Sequence, residues 1–236
     1  MPKPLFLLLC IALLVPATGQ GQAVVKHLKH SGYVGVILDG REVDRSDLQD
    51  AKHLAKLGDR QAQFNTAAMY HALGKFDTAV YWYRRAALFR HPLAAYNLGL
   101  LYYEGRHVNH DMADAVRWLE VASKAGYPQA QTQLAYMAYR GEIPGAGRVE
   151  EADWYRSAAL RDDAVAQYNL GVMLWQGDGI AQDPVEGFAW ISLAAPKVDR
   201  EGVLDTLVAG MSATERAEAD ALRATLEDDI RPFVMR

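Results

Sequence analysis

Histidines are the first residues of this chain whose spacing could support chemistry. Two pairs are three residues apart, His27 with His30 and His107 with His110, and such a pair on a helix can share a metal ion. Neither pair has a third ligand nearby at a convincing spacing, so we interpret these histidines as exposed or turn residues. We therefore predict no metal site and no cofactor.

Carboxylates are the second group with catalytic potential. A glycosidase needs two carboxylates about 5–10 Å apart across a sugar-sized cleft. The acids here fall where helices are expected to begin, and the helix dipole favours negative charge at that end. The group consists of Glu150, Glu151, Asp153, Asp162 and Asp163. Because the sequence also has no Gly-x-Ser-x-Gly elbow and no phosphate-binding loop, we predict that the protein is not an enzyme.

Composition places the chain among globular proteins. Half of its 236 residues are hydrophobic, 23% are charged and 37 are alanine, a combination that favours close-packed helices. The formal net charge of −4 is too acidic for a dedicated nucleic-acid-binding protein, which usually carries a basic patch. We therefore expect no nucleic acid among the partners.

The first 23 residues have the pattern of a secretory signal peptide. Lys3 precedes an apolar run from Leu5 to Val15, and Pro16 and several small residues follow it. Eleven apolar residues are too few to span a ~30 Å hydrocarbon core, although an uncleaved anchor and lipidation at Cys10 are the alternatives. Cleavage would remove the one cysteine, Cys10, and leave no membrane span. We predict a periplasmic or secreted protein without disulfides.

An internal repeat organises the rest of the chain. Four segments begin with similar residues at spacings of 32, 36 and 36, and five residues later each has a tiny side chain that would let a neighbouring helix approach. The segments start at Ala62, Ala94, Ala130 and Ala166, and the tiny residues are Ala67, Gly99, Ala135 and Gly171.

The second half of each repeat carries a large aromatic residue. These aromatics are Trp82, Trp118, Tyr155 and Trp190. Small residues three positions before and four positions after each aromatic share its helical face. Each repeat is thus predicted to be a pair of helices, with the aromatic in the core between them.

The link between paired helices has recognisable end signals. Gly105 and Gly177 suit the left-handed end of a first helix, and Asp111 and Asp183 suit the N-cap of the second. The pattern Ala-x-Tyr-Asn-Leu-Gly-x-x-Tyr-x-x-Gly at Ala94 to Gly105 resembles the Sel1-like repeat, a ~36-residue relative of the tetratricopeptide repeat. The resemblance implies an all-α, right-handed α-solenoid of helix pairs with helical caps. It also implies an adaptor of the exported bacterial type.

The resulting domain prediction has four parts. Residues 1–23 are the signal peptide, 24–57 an N-terminal arm with a capping helix, 58–195 four Sel1-like repeats, and 196–236 C-terminal capping helices. The arm could be extended or form a short strand at 33–38, and its helix should begin near Ser46.

The C-terminal part is predicted to hold two helices. A short one covers 198–208, and a second follows a capping box formed by Ser212 and Glu215. The second helix should run to about Asp228. Its predicted apolar stripe consists of Ala217, Ala221, Leu222 and Leu226.

One set of side chains is the candidate binding strip. Nine residues after each repeat-starting alanine comes an aromatic or histidine, and equivalent positions of a solenoid form a ladder along one surface. The strip consists of His71, Tyr103, Tyr136, Tyr139, Arg140 and Trp175. Aromatics with arginine suit recognition of a bound segment or sugar. The alternative is that these side chains pack between neighbouring helices.

The predicted function is therefore that of an exported scaffold that binds a protein partner, within a cell-envelope assembly. The first alternative is a module that binds envelope polysaccharide or peptidoglycan through the same strip. A hydrolase is the second alternative, and it finds the least support in the sequence.

Overall fold

A computed structural model describes residues 24–27, 34–38, 41–43, 45–105, 108–198 and 201–234. The predicted signal peptide lies outside the described residues, as do His30 and His107, one member of each predicted histidine pair.

The described residues contain three short strands and eleven helices, joined by turns. The strands β1 (Val24–His27), β2 (Val34–Leu38) and β3 (Arg41–Val43) form an antiparallel sheet in that order, with Val25 opposite Val36 and Ile37 opposite Glu42. The helices are α1 (Arg45–Lys56), α2 (Arg60–Ala72), α3 (Phe76–Leu88), α4 (Pro92–Glu104), α5 (Met112–Lys124), α6 (Pro128–Tyr139), α7 (Arg148–Ala159), α8 (Ala164–Gln176), α9 (Pro184–Ala194), α10 (Glu201–Val208) and α11 (Ala213–Val234).

The helices form pairs within two compact units. The first unit ends at Tyr127 and contains the pairs α2–α3 and α4–α5, with α1 packed on α2 and α3 packed on α4. The second begins at Pro128 and contains the pairs α6–α7 and α8–α9, with α7 packed on α8 and α11 on α9. The predicted all-α fold of stacked helix pairs is confirmed, and the small sheet adds an extended arm before it.

Tiny residues lie where paired helices touch, as predicted. A β-carbon at Gly99 would come within 2.8 Å of Leu119 Cγ. A β-carbon at Gly171 would come within 2.7 Å of Ile191 Cγ1 and 2.8 Å of the Gly187 carbonyl oxygen. Since real β-carbons do not approach that closely, these contacts need glycine.

The predicted core aromatics are buried in all four repeats. They are Trp82, Trp118, Tyr155 and Trp190, and each is at most 5% exposed. In the second unit Trp190 Nε1 donates a hydrogen bond of 3.1 Å to Glu186 Oε1, which also accepts from Arg156 Nη1 at 2.7 Å. The polar edge of this buried ring is therefore satisfied.

The predicted helix ends are also confirmed. Gly105 and Gly177 have φ angles of 64° and 69° and end α4 and α8 in the left-handed conformation. The carboxylates of Asp111 and Asp183 accept backbone N–H bonds at the starts of α5 and α9.

Among the caps on the first helices of the repeats, the sequence predicted an acid at a helix start for Asp163, but it did not predict Asp59 or His91 as caps. Three residues before the repeat-starting alanine, Asp59, His91 and Asp163 accept its backbone N–H at 2.6, 3.2 and 2.8 Å. Side-chain caps of this kind stabilise a helix by about 0.5–2 kcal/mol. The second repeat therefore uses an imidazole where the first and fourth use a carboxylate.

A glutamine joins consecutive helices at two of these junctions. Gln63 Nε2 donates to the Ala55 carbonyl and Gln167 Nε2 to the Ala159 carbonyl, both at 3.1 Å. Each acceptor lies near the end of the preceding helix and also accepts a backbone N–H from the turn that follows, from Gly58 or Asp162. The glutamine therefore adds a second hydrogen bond to a carbonyl at the helix end. Helix α1 thus takes the place, in front of the first repeat, that α7 takes in front of the fourth.

The C-terminal helices differ in detail from the prediction. The capping box is present, because Glu215 N donates to Ser212 Oγ at 3.2 Å and Ser212 N to Glu215 Oε2 at 2.8 Å. Helix α11 continues beyond the predicted end to Val234. The predicted apolar stripe was wrong at Ala217 and Ala221, which are exposed. The buried face consists of Ala219, Leu226 and Ile230, with Leu222 beside it, because α11 is rotated so that its larger aliphatic residues meet Tyr155 and Trp190.

His91 generates a prediction about pH. Its Nδ1 accepts from Ala94 N, so the neutral ring carries its proton on Nε2, 3.1 Å from Gln61 Oε1. Burial, assisted by the nearby charge of Arg60, lowers the pKa of His91 to about 4. As pH falls below about 6.5, His91 of the unfolded chain binds a proton that the folded chain excludes. The contribution of neutral His91 to the free energy of unfolding is therefore fully present above about pH 6.5 and is lost as pH falls towards 4. We expect a loss of about 2 kcal/mol across that window.

The measurement is urea unfolding at several pH values, with His91→Asn as the matched control. Asparagine retains a cap acceptor without a titrating ring, so the variant should lose less stability on acidification. Parallel pH curves for the two proteins would show that His91 does not control acid stability.

Candidate partner-binding surface

Three of the predicted strip residues lie together at the end of α6. This helix buries Leu134, Ala135, Met137 and Ala138 against its own unit. Tyr136 lies between those positions and is half-buried. Tyr139 directly follows them and is 39% exposed. Arg140 follows directly after the helix and is exposed.

Tyr136 and Arg140 form a stacked and hydrogen-bonded pair. The guanidinium carbon of Arg140 lies 5.6 Å from the centre of the Tyr136 ring, and Nη1 donates to the tyrosine hydroxyl at 3.1 Å. Arg140 Nε donates to Glu142 Oε1 at 2.6 Å. The Tyr136 hydroxyl and the Glu142 carboxylate together raise the pKa of Arg140 above its ordinary value, so this position carries a permanent positive charge held in one orientation.

Tyr139 has a second guanidinium over its ring. The Arg148 guanidinium carbon lies 4.7 Å from the centre of the Tyr139 ring. Cation–π contacts of this kind contribute about 0.5–1 kcal/mol at exposed sites. The last turn of α6 thus presents two tyrosine rings, and the guanidinium group of an arginine lies over each ring.

Arg148 is fixed in turn by two carboxylates. It pairs with Glu151 at 2.7 Å and with Asp178 at 3.2 Å. A β-carbon at Gly179 would lie 2.0 Å from Arg148 Cβ, so the link between α8 and α9 has room for the arginine only because residue 179 is glycine. Arg148 therefore connects the end of α6, the start of α7 and the α8–α9 link.

Glu151 is the buried partner in this network. Glu151 is fully buried. Burial raises the pKa of its carboxyl, and the hydrogen bond and charge of Arg148 oppose this rise. The prediction that the acids of this region serve helix ends holds for Glu150, which accepts from Gly147 N, and for Asp163, which caps α8. Glu151 instead holds Arg148 in place beneath Tyr139.

Trp175 lies elsewhere in the same unit and is packed by neighbouring elements. Its partly buried ring contacts the apolar cluster that contains Val172, Ile191 and Leu207. The last of these belongs to α10, which covers this part of α8. These contacts are those of the packing alternative.

His71 and Tyr103 belong to the first unit. The His71 ring packs edge-on against Phe76 at 5.4 Å and against Tyr83 at 6.1 Å between ring centres, so it lies inside its own helix pair. Tyr103 is half-buried on α4. The structure thus brings together Tyr136, Tyr139 and Arg140, and the strip as a whole stays a prediction.

Sequence reasoning missed Arg148 and a second tyrosine–arginine pair. Tyr81 and Arg85 on α3 repeat the geometry of Tyr136 and Arg140, with a 3.1 Å hydrogen bond and the guanidinium 5.9 Å from the ring centre. The i,i+4 spacing of tyrosine and arginine is the sequence signal common to both pairs. No such spacing marks Arg148, which approaches Tyr139 through the turn between two helices.

The described residues contain no cluster of three or more metal-ligating side chains. No helix within the described ranges is both long and apolar enough to cross a membrane.

Comparison with known proteins identifies the repeat. The model of the Sel1 repeat matches residues 60–88, 92–127, 128–163 and 164–195, more than half of the chain. The chain belongs to the Sel1 repeat family. Sel1 repeat proteins generally act as non-enzymatic scaffolds that mediate protein–protein interactions.

A solved structure agrees with this assignment. The crystal structure of a Sel1 repeat protein from Oxalobacter formigenes aligns with a TM-score of 0.59 and 25% identity over 64% of this chain. The aligned region is also 64% of that protein's length, less than two thirds of it. A protective antigen of uropathogenic Escherichia coli strains with an SLR fold aligns with a TM-score of 0.49 and 20% identity, over 79% of this chain and 49% of that one. No curated protein matches the chain.

The Arg148–Glu151 pair generates a stability prediction for the Sel1 repeats. Arg148→Met leaves a buried carboxylate without its cation, so we expect the free energy of unfolding to fall by about 2–4 kcal/mol. The double variant Arg148→Met/Glu151→Met removes both charges and should be more stable than Arg148→Met alone. Urea unfolding of both single variants and the double variant measures the coupling. Additive effects would show that Glu151 does not depend on Arg148.

Proposed function

We propose that the protein is an exported Sel1 repeat scaffold that binds a protein partner through the end of α6. The observation that carries the proposal is the pair of surface tyrosines, Tyr136 and Tyr139, each stacked on an arginine in one helical turn. We call Tyr136, Tyr139 and Arg140 the α6 surface.

The geometry of the α6 surface suits a protein partner. Tyrosine and arginine are enriched among the residues that dominate protein interfaces. A tyrosine ring supplies a large contact area with only two side-chain torsions to order. Because the guanidinium groups already restrain both rings, less conformational entropy is lost on binding than for free side chains.

Charge defines the kind of segment that would fit. Arg140 is 51% exposed at its side chain and has one carboxylate partner, Glu142. A partner segment with an apolar or aromatic anchor beside an acidic side chain would place the anchor against the rings and the acid near Arg140. This arrangement combines aromatic contact with a charge-assisted hydrogen bond.

Export is part of the proposal. Its support is the N-terminal sequence, in which a basic residue, an apolar run and small residues follow in the order of a signal peptide. Loss of residues 1–23 would leave a chain without cysteine, which suits a periplasmic or secreted protein that is stable without disulfides. An envelope assembly is the proposed setting.

A second candidate is an envelope glycan. Surface tyrosine rings also stack on the flat faces of sugars, so the α6 surface could bind polysaccharide or peptidoglycan. This alternative uses the same residues and differs in the class of ligand.

Partner capture tests the proposal. The variant Tyr136→Ala/Tyr139→Ala should retain at most roughly a tenth of the partner that the wild type captures from an envelope extract, because it loses both anchors. Quantitative mass spectrometry of the captured protein is the measurement. Circular dichroism should show the same helix content, since neither residue belongs to the buried set of α6.

Tyr81→Ala is the matched control. It removes an exposed tyrosine with the same arginine contact from α3 and should leave capture unchanged. Equal capture by the double variant and the wild type would contradict the protein-partner proposal. Retention of the wild type on insoluble cell-wall material, abolished by the double variant, would instead support the glycan alternative.

A further inference from the structure

Apolar side chains project from one edge of the first unit. The turn between α1 and α2 exposes Leu57 to 72%, and the end of α3 and its turn into α4 expose Leu88 to 68% and Phe89 to 55%. Both turns join the second helix of one pair to the first helix of the next, so they lie at the same edge of the stack. Apolar side chains exposed to this extent are available for contact with another apolar surface.

Cations surround these apolar side chains. Lys56 precedes Leu57, Arg60 begins α2, and Arg90 follows Phe89; all three are exposed. Among the described residues none of the three forms an ion pair. The nearby carboxylate of Asp59, which caps α2 by accepting the Ala62 N–H, offsets one of these three positive charges, so the edge stays basic.

This basic character is local. Residues 45–127 carry a net charge of +3, whereas residues 128–236 carry −8. The equivalent turn after α7 shows the contrast, because Leu160 there is 38% exposed and is followed by Arg161, Asp162 and Asp163. The combination of projecting apolar residues with an excess of cations is thus a feature of the first unit.

The chemistry of this edge matches a lipid surface. Apolar side chains at the tips of tight turns project outward, as they must to enter the boundary between headgroups and acyl chains about 5–10 Å deep. Cations around them are attracted to anionic headgroups. An acidic protein would satisfy the cations, but it would also need a cavity for each of two separate apolar tips.

We propose that this edge binds the surface of membranes that contain anionic phospholipid. We call it the basic apolar edge, and its residues are Lys56, Leu57, Arg60, Leu88, Phe89 and Arg90. Leu57, Leu88 and Phe89 insert between the headgroups, and the three cations contact phosphate. The proposal is independent of the α6 surface, which belongs to the other unit, and it requires no membrane-spanning helix.

Vesicle binding of the full chain tests the proposal. Partition coefficients are measured by sedimentation with vesicles of phosphatidylcholine alone and with vesicles that also contain about 30 mol % phosphatidylglycerol. The readout is the ratio of the two coefficients, because the apolar segment near the N-terminus contributes to both. We expect a ratio of at least roughly ten for the wild type, and a marked fall at high salt.

Two variants and a control decide the outcome. Leu57→Ser/Leu88→Ser/Phe89→Ser should lower partition onto the anionic vesicles by at least roughly tenfold. Lys56→Gln/Arg90→Gln should lower the ratio towards one. Leu160→Ser, at the acidic equivalent turn, should behave as the wild type, and all variants should keep the wild-type circular dichroism.

The opposite results would overturn the proposal. A wild-type ratio near one would show that anionic lipid is not the ligand, and binding of an acidic protein at this edge would then replace it. An unchanged partition of the triple serine variant would show that the apolar tips do not enter the bilayer.

Discussion

The close approach of paired helices determines how the side chains of a repeat can pack. In the fourth repeat Gly171 and Gly187 face each other, and a β-carbon on either would lie 2.8 Å from the carbonyl oxygen of the other. Backbones that meet this closely fix the rotation of each helix about its axis. Rotation decides which residues of a helix are buried, as Trp190 is on α9, and which residues reach the surface.

Much of the fold could be predicted because the same structural signals occur in several repeats. The tiny residues, core aromatics, left-handed glycines and aspartate caps recur at equivalent positions, and each has a single physical role. His91 was harder to predict because an imidazole does there what carboxylates do at Asp59 and Asp163. The ends of the chain were also harder, since no repeat constrains them: α11 buries Ala219 and Leu226, whereas Ala217 and Ala221 remain exposed.

The candidate site was predictable only in part for a related reason. Periodicity identified Tyr136, Tyr139 and Arg140, which share one turn and its end. It could not identify Arg148, whose position depends on Glu151, Asp178 and the space beside Gly179. Such contacts join segments distant in sequence, and only the folded structure shows them. For Trp175, the contact with α10 depends on an element outside the repeat.

Photo-crosslinking in the cell shows whether the α6 surface holds a protein partner. A photoreactive amino acid replaces Tyr139 in one strain and Tyr81 in a control strain, and crosslinked material is identified by mass spectrometry. We expect a discrete protein adduct from position 139 that is absent from position 81. If the protein is folded and exported and position 139 gives no protein adduct, the α6 surface does not hold a protein partner.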